Sequence, residues 1–406
     1  MSNKKRLMIL GASRVQLLAI QYAKSNGYYV IACDMDADSA GRECADEFYQ
    51  VSTTECEEVL AIAKRSNIDG VMTYAADAAA PAVAFVGNEL GLPSNPYESV
   101  LTLARKDYFR DFLRNNSCYV PTSDVYADWR KAIRDIKKFK FPILIKPCDS
   151  AGSRGMKKFV DEKFDKNDFQ QAFDNALSFS RAKKVVVEDF IQRKKCQIAG
   201  DGFVVDGKLV FRCFANEHFN NTCNTLVPIG ESFPSIHDVE VQEMAHKQLQ
   251  SIFSKLDIRL GAFNFDFMIT TNDDVFVIEI GPRNGGNMIP QVTRYATGVD
   301  MLDYTVKAAL GEDCSDLRMH DVNGYYSSYM IHSRREGIFQ GINTSDDLKN
   351  NILEQNMYVE PGSFVESYQM AGCALGEMIL KFESVDEMFH KMDNMDSYCK
   401  VLLNGE

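Results

Sequence analysis

The chain has 406 residues, and its content of 45% apolar and 25% charged residues is that of an ordinary soluble globular protein. This length exceeds what one compact core supports and indicates two or three domains. The net charge of −12 argues against nucleic acid as a partner, because surfaces that bind phosphate backbones are usually basic. No apolar run approaches the roughly 18 residues that span a bilayer, so we expect no membrane partner.

Eleven cysteines are scattered along the chain, without a CxxC pair or a Cys/His spacing typical of zinc sites. In a chain of this size they are typical of reduced, mostly buried thiols. The basic N-terminus is followed by only about four apolar residues, fewer than the core of a signal peptide requires. These features predict a cytoplasmic protein.

Residues 1–103 alternate strands and helices. We predict a strand in RLMILGAS, a helix in RVQLLAIQYAKSNG, a strand in YYVIACDMD, and a further helix and strand in ECEEVLAIAKRSNIDGVMTYAAD. This alternation indicates a parallel sheet with helices on both faces. Only Gly11 follows the first strand, instead of GxGxxG, so the spacing argues against a dinucleotide-binding domain.

A proline-rich stretch, GLPSNPYESV, ends this domain, and we predict one helix in LTLARKDYFRDFLRNN after it. Further on, LIKPCDSAGSRGM places Lys146 at the end of an apolar strand, before a loop with Gly152 and Gly155. Glycines let backbone amides approach phosphate oxygens, and a lysine supplies positive charge. The same pattern fits a flexible hairpin turn, so both interpretations stay open.

Glu188 lies inside the strand-like run VVVEDFI. A carboxylate in such a strand must be hydrogen-bonded, because burying it without a partner costs on the order of several kcal/mol. An adenine amino group is one candidate partner, and a structural lysine or a backbone amide is the other. Further on, the amide-rich segment NEHFNNTCNTLVP either faces an acceptor substrate or forms a solvated loop.

The segment GAFNFDFMITTNDDVFVIEIG predicts a β-hairpin with Asp266 in its first strand and Glu279 in its second. Pairing across the turn places both acids on one face, where they repel each other unless a cation lies between them. Mg²⁺ prefers a couple of carboxylates plus substrate phosphates. Arg283 follows in a glycine loop, placed to hold a carboxylate or a phosphoryl group. The alternative is an ordinary salt bridge between Glu279 and Arg283.

In this order, the segments resemble the ATP-grasp superfamily, and most of all the branch of biotin carboxylase, carbamoyl-phosphate synthetase and the purine-pathway ligases. The matching segments are ARKDYFRDFL, the Lys146 strand and its loop, VVVEDFI, the hairpin with Arg283, and ATGVDMLDYTVKAALGE. The resemblance implies a mixed α/β fold in four parts. These are a parallel α/β domain (1–103), a linker helix and lid subdomain (104–187), a second subdomain with the adenine strand and the hairpin (188–312), and a small β-rich cap (313–406).

The resemblance also implies roles for individual residues. The loop 149–155 would close over the phosphates of ATP, and Glu188 would accept a hydrogen bond from the adenine amino group. Asp266 and Glu279 would hold Mg²⁺ or Mn²⁺, and Arg283 would be catalytic. The implied nucleotide-binding residues are Lys106, Lys146, Ser150, Gly152, Ser153, Gly155, Glu188, Phe190, Ile191 and Gln197.

Three positions depart from the family pattern. Gln197 replaces a glutamate that usually holds the ribose, although an amide still bonds a hydroxyl. Gly281 replaces an asparagine that usually helps to bind the second metal, and Asn284 or Asn287 is a candidate substitute. Asn287 stands where biotin carboxylase has a glutamate base, and an amide accepts no proton. We therefore predict that the protein does not carboxylate biotin.

The reaction implied by the resemblance is ATP-dependent ligation of a small carboxylate to a small amine, through an acyl phosphate, with release of ADP and phosphate. One alternative is a purine- or pyrimidine-pathway ligase similar to phosphoribosylglycinamide synthetase or carbamoyl-phosphate synthetase. The other is a non-catalytic ATP-binding protein. A homodimer is a further expectation.

Overall fold

The computed structural model of the chain describes residues 4–220 and 222–404. It is a mixed α/β structure with four sheets, one parallel and three antiparallel, as the sequence predicts. No helix in the described ranges is long and apolar enough to cross a membrane.

The predicted parallel sheet forms the N-terminal part, with the strand order β3-β2-β1-β4. Separate clusters of buried apolar side chains cover its two faces, which is why the central strands are mostly apolar, whereas the edge strand β3 is only partly buried. The elements are β1 (Arg6–Leu10), α1 (Arg14–Ser25), β2 (Tyr29–Asp34), β3 (Glu47–Gln50), α2 (Cys56–Ser66), β4 (Gly70–Thr73), α3 (Ala80–Leu90) and α4 (Tyr97–Ala104).

The single helix predicted around Lys106 is wrong, because two helices occupy this stretch. α4 ends at Ala104, Arg105 is extended, and α5 (Lys106–Asn115) begins directly after it. The backbone N–H of Lys106 donates to the carbonyl of Cys148 at 2.8 Å, which ties the start of α5 to the strand that carries Lys146. A break of one residue leaves the apolar spacing nearly unchanged, so the sequence does not reveal it.

The lid subdomain is an antiparallel sheet in the order β5-β8-β6-β7, with two helices packed on one face. The glycine-rich loop joins β6 and β7, which pair as the predicted hairpin. The elements are β5 (Ser123–Tyr126), α6 (Trp129–Arg134), β6 (Ile143–Pro147), β7 (Lys157–Phe159), α7 (Lys166–Ser178) and β8 (Val185–Asp189).

The second subdomain is built on an eight-stranded sheet, in the order β13-β12-β9-β10-β11-β14-β18-β16. One face packs against α8 through aromatic and aliphatic side chains, and α9 and α10 cover the other face. The elements up to residue 309 are β9 (Ile198–Val205), β10 (Lys208–Phe219), β11 (Pro228–Phe233), α8 (Val239–Lys255), β12 (Gly261–Ile269), β13 (Val275–Gly281), α9 (Ile289–Thr297) and α10 (Met301–Ala309).

The C-terminal residues continue this large sheet, because β14 pairs with β11 and then with β18. The boundary predicted at residue 312 thus falls between strands of one sheet. A small sheet, β17-β15-β19, closes the C-terminal core. The elements are β14 (Tyr325–Ile331), β15 (Gly337–Thr344), α11 (Asp346–Lys349), β16 (Ile352–Met357), β17 (Phe364–Val365), β18 (Gly376–Phe382), α12 (Val385–Asp393), α13 (Met395–Tyr398) and β19 (Cys399–Leu403).

Candidate active site

The predicted hairpin is formed by β12 and β13, and Asp266 and Glu279 are direct partners across it. Burial and the neighbouring Glu279 raise the pKa of Asp266 well above its usual range. Burial opposes ionisation of Glu279 too, but the positive charges of Lys106 and Arg283 outweigh it and lower the pKa of Glu279. The pair is therefore one ionised acid beside one that resists ionisation.

A divalent cation fits this pair, because it would let both acids ionise side by side. Within the described ranges, no group of three or more His, Cys, Asp or Glu residues is arranged to hold a metal by itself. Two carboxylates that share an ion with phosphate oxygens are the arrangement that Mg²⁺ favours. Asp266 and Glu279 would be its protein ligands.

Lys106 connects this pair to the lid subdomain. Its Nζ lies 3.2 Å from Glu279 Oε2 and donates to the carbonyl of Ser150 at 2.9 Å. The position of Lys106 at the first turn of α5 makes both contacts possible, because the break at Arg105 sets the direction of that helix. Lys106 thus lies where the loop meets the acid pair.

Lys146 and Glu188, by contrast, are paired with each other and with Arg110. Arg110 Nε lies 3.0 Å from Glu188 Oε2, and Arg110 Nη1 donates to the carbonyl of Ile278 at 2.8 Å. All three charged side chains are at least nine-tenths buried. Of the two partners considered for Glu188, the structure therefore contains the lysine.

The electrostatics of this cluster follow from its burial and its composition. Burial lowers the pKa of the Lys146 ammonium to about 8, although Glu188 opposes the change. Burial would raise the pKa of Glu188, but Arg110 and Lys146 outweigh it and lower the value to about 2. A nucleotide that bound Lys146 through a phosphate would have to exchange with Glu188.

Three further predicted nucleotide-binding residues lie in the segment after β8. The N–H of Phe190 donates to the carbonyl of Pro142 at 2.8 Å, and Ile191 follows it half-buried. Lys158 Nζ lies 3.6 Å from the centre of the Phe190 ring. The carbonyl of Gln197, just before β9, accepts from the N–H of Glu217 on β10 at 2.9 Å.

The loop 149–155 is held by contacts with two distant parts of the chain. Ser153 Oγ donates to the carbonyl of Leu226 at 2.8 Å, and the carbonyl of Gly152 accepts from the N–H of Ala371 at 3.3 Å. A Cβ on Gly155 would lie 2.8 Å from the ring of Phe179, and its φ of +70° also favours glycine. The loop thus covers the site in a closed arrangement. The predicted acceptor-facing segment reaches it at Leu226, although its Asn221 lies outside the described residues.

Arg283 contacts the N-terminal domain instead of Glu279, so the alternative of a salt bridge between the two is not found. Its Nη2 lies 2.6 Å from Asp77 Oδ2. A Cβ at position 281 would lie 2.8 Å from Asp77 Oδ1, so the bridge occupies the space of the asparagine missing there. Asn284 Oδ1 already accepts from the hydroxyl of Thr305 at 3.1 Å, which makes it a poor substitute ligand.

Three acids at the site were not predicted from the sequence. Asp201, fully buried on β9, accepts from the N–H of Gly285 at 2.9 Å and so anchors the glycine loop. Burial raises the pKa of Asp201 to about 6. Glu217 on β10 and Glu231 on β11 are direct cross-strand partners. Acids inside apolar runs such as LVFRCFANEHF and PIGESF were the available signal.

A cavity of about 210 Å³ lies where the N-terminal domain, the lid loop and the end of β13 meet. Asp77 and Glu279 line it. Cationic side chains from the start of α5, the residue before it and the lid subdomain also line the cavity, and a surplus of positive charge suits an anionic group of a substrate. The basic lining residues are Arg105, Lys106, Arg154 and Arg181.

A family model for the ATP-binding domain of the carbamoyl-phosphate synthase L chain matches residues 106–317, just over half of the protein. The chain belongs to this family. The matched residues run from the start of α5 to beyond α10, so they include the lid, the hairpin and the glycine loop. Residues 106–317 therefore form an ATP-binding domain, as the sequence predicts.

Similar proteins extend the match to the whole chain. Formate-dependent phosphoribosylglycinamide formyltransferase from Prochlorococcus marinus is 23% identical in an alignment of 404 positions that covers 96% of each chain. The crystal structure of phosphoribosylglycinamide synthetase from Anaerococcus prevotii has 21% identity and a TM-score of 0.75, over 99% of this chain and 100% of that one. The crystal structure of L-amino acid ligase from Bacillus licheniformis has 17% identity and a TM-score of 0.80, over 100% of both chains. The ATP-grasp recognition, the fold class and the class of enzyme, an ATP-dependent ligase, are thus confirmed.

Proposed function

We propose that the protein joins a small carboxylate to a small amine in two steps. A carboxylate oxygen of the first substrate attacks the γ-phosphorus of ATP, and the bond to the β-phosphate oxygen breaks, giving an acyl phosphate and ADP. The amine nitrogen then attacks the acyl carbon and loses a proton, and phosphate leaves. The products are an amide-type C–N bond, ADP and phosphate.

The observation that supports this proposal best is the Asp266–Glu279 pair, placed between Lys106 and the loop of Arg283. Mg²⁺, when bound there, neutralises charge on the transferring phosphoryl group. Lys106 adds a positive charge beside it, and Arg283 is held by Asp77, one of the residues that line the cavity. Positioning and neutralisation of charge are what phosphoryl transfer needs most.

The closed loop 149–155 supplies the second requirement, which is a dry site. An acyl phosphate that meets water is hydrolysed before the amine reaches it. The contacts of Ser153 with Leu226 and of Gly152 with Ala371 hold the loop over the site. We infer that the loop opens to admit ATP and closes for the reaction.

The whole-chain match to a formate-dependent formyltransferase favours a carboxylate as one substrate, because formate is a carboxylate. We also predict a homodimer, a cytoplasmic location and Mn²⁺ as an alternative to Mg²⁺.

The test is a screen for ADP release with ATP, Mg²⁺ and pairs of small carboxylates and amines. We expect ADP, phosphate and an amide in equal amounts, for at least one pair, and no steady ADP release when either partner is omitted. A stable phosphorylated product that needs no amine would instead identify a kinase-like enzyme. ATP binding without turnover for any pair would favour the non-catalytic alternative.

A further inference from the structure

Glu217 and Glu231 form an acidic site that the ATP-binding residues do not use. The two are register partners on β10 and β11, so their side chains lie on the same face of the large sheet. Only 6% of Glu217 and 2% of Glu231 is exposed. The negative charge of Asp266 also acts on Glu217, which places both acids beside the hairpin pair.

Glu231 is oriented by neutral donors. Ser328 Oγ donates to its Oε2 at 2.7 Å, and Asn287 Nδ2 donates to its Oε1 at 3.1 Å. Glu217 differs, because its Oε2 is buried and has no hydrogen-bond partner. A buried carboxyl oxygen without a partner is costly, so its presence points to a group that is bound during function.

The protein itself offers no cation to these two acids. Across residues 4–220 and 222–404, no ion pair involves Glu217 or Glu231, and the positive charge that acts on Glu217 comes from Arg193. Arg193 is exposed and stacks on Phe219, 5.1 Å from the ring centre. The two acids also do not complete a group of metal-ligating side chains in this part of the chain.

We propose that Glu217 and Glu231 bind the ammonium group of the amine substrate, an inference that rests on the ligase function proposed above. An ammonium group presents only donors, and this site presents an unpartnered acceptor beside a second carboxylate. The order of the strands places β10 and β11 next to β9 and the Asp266 hairpin. The ammonium group would be held on the same sheet face as the phosphoryl-transfer site, and it would pass one proton to a carboxylate of the pair before its nitrogen attacks the acyl carbon in the second step.

A comparison of ligands tests this without any mutation. Thermal unfolding of the full chain is followed with ATP analogue and Mg²⁺, adding primary amines and amino acids, each against its hydroxyl counterpart, such as L-alanine against L-lactate. We expect at least one ammonium compound to raise Tm while its hydroxyl counterpart does not. Equal shifts for both members of every pair, or no shift for any, would overturn the proposal.

Substitutions of the two acids then test whether they bind the ammonium group. With an active pair of substrates, Glu217→Gln and Glu231→Gln should raise the KM for the amine by about 10-fold to 100-fold, the range for lost bonds to a charged group, and leave the KM for ATP unchanged. Glu217→Asp should recover part of the affinity. Glu377→Gln, on β18 of the same sheet, is the matched control and should change neither KM.

The outcomes separate this inference from the ligase proposal. Amine-dependent ADP release with an unchanged amine KM in both variants would overturn the ammonium site and keep the ligase. A higher Mg²⁺ concentration for half-maximal activity, at unchanged amine KM, would assign the acids to the metal and also overturn the ammonium site. Absence of amine-dependent ADP release in the wild type would end the ligase proposal itself.

Discussion

Two buried charged clusters of this site differ in the partners that their charged side chains have. In the Lys146–Glu188–Arg110 cluster, one carboxylate faces two cations from other elements of the chain. In the Glu217–Glu231 pair, acid faces acid, and an oxygen of Glu217 has no partner. In the first cluster every charged side chain has a partner of opposite charge within the chain, whereas the second has no cation beside it in the described part of the chain.

This difference indicates that the first cluster stabilises the fold and that the second serves binding. Breaking a buried, balanced ion pair is strongly destabilising, because it leaves an uncompensated charge. Acids held together without a cation cost stability, and their persistence is typical of a binding site. Four measurements test this contrast, and the first concerns the Asp266–Glu279 pair, which lies beside both clusters.

The largest effect is expected for Glu279→Gln. An amide cannot supply the negative charge that Asp266 and Glu279 would offer a cation, so turnover should fall roughly 1,000-fold or more. The measurement is ADP release with an active substrate pair, and unfolding by circular dichroism checks the fold. Turnover close to that of wild type would show that Glu279 is no metal ligand.

Glu188→Gln should have the largest effect on stability. It leaves Lys146 and Arg110 buried without a counter-charge, so the free energy of unfolding should fall by about 3 to 5 kcal/mol. Urea denaturation at neutral pH measures this. Glu377→Gln, a half-buried acid elsewhere in the fold, is the control and should cost about 1 kcal/mol or less. A loss for Glu188→Gln no larger than for this control would mean that the cluster is not structural.

The buried carboxyl of Asp201 should make the free energy of unfolding depend on pH. Its pKa of about 6 in the fold lies above the usual value of 3.8, so the folded state takes up this proton first as the pH falls. This group therefore adds stability as the pH drops through about 6, and the gain vanishes as the pH rises. Relative to Asp201→Asn, wild type should gain about 2 kcal/mol between about pH 7 and pH 4.5. Parallel pH profiles of the two proteins would contradict the assignment.

The smallest expected effect is a gain in the free energy of unfolding, whereas Glu188→Gln causes a loss. Glu217→Gln should raise the free energy of unfolding by about 1 kcal/mol near pH 8, because a neutral amide removes repulsion from Asp266 and Glu231. The pKa of Glu217 is raised well above its usual range, so wild type loses stability as the pH rises, and the advantage of the variant should shrink in acid. A clear loss of stability at pH 8 would mean that the carboxylate already has a stabilising partner.

The sequence predicted the features that depend on neighbouring residues. The Asp266–Glu279 pair follows from two apolar runs around one short turn, so its register is local. The parallel N-terminal sheet follows from alternation of strands and helices in the same way. The loop after Lys146 was recognised from its glycines, whereas its contact with Lys106 was not predicted, because Lys106 and Ser150 are separated by 44 positions.

The features that were missed join distant residues. Arg110 meets Glu188 across 78 positions, and Asp77 meets Arg283 across 206. No local pattern encodes such distances, because they depend on how whole subdomains dock. The partnership of Glu188 with Lys146 was an open alternative, since a buried acid in a strand says only that some partner exists.

The continuity of the large sheet limits how this protein can be divided. β11 carries Glu231 and is hydrogen-bonded to β14, from the C-terminal quarter of the chain. A fragment cut at residue 312 would leave β11 as a bare sheet edge, open to pairing with other molecules and prone to aggregate. Across the described ranges the N-terminal sheet shares no strand pairing with the other sheets, but side chains of α10 pack into its core. A module exchanged near α4 would therefore have to keep the α10 side chains that match this sheet.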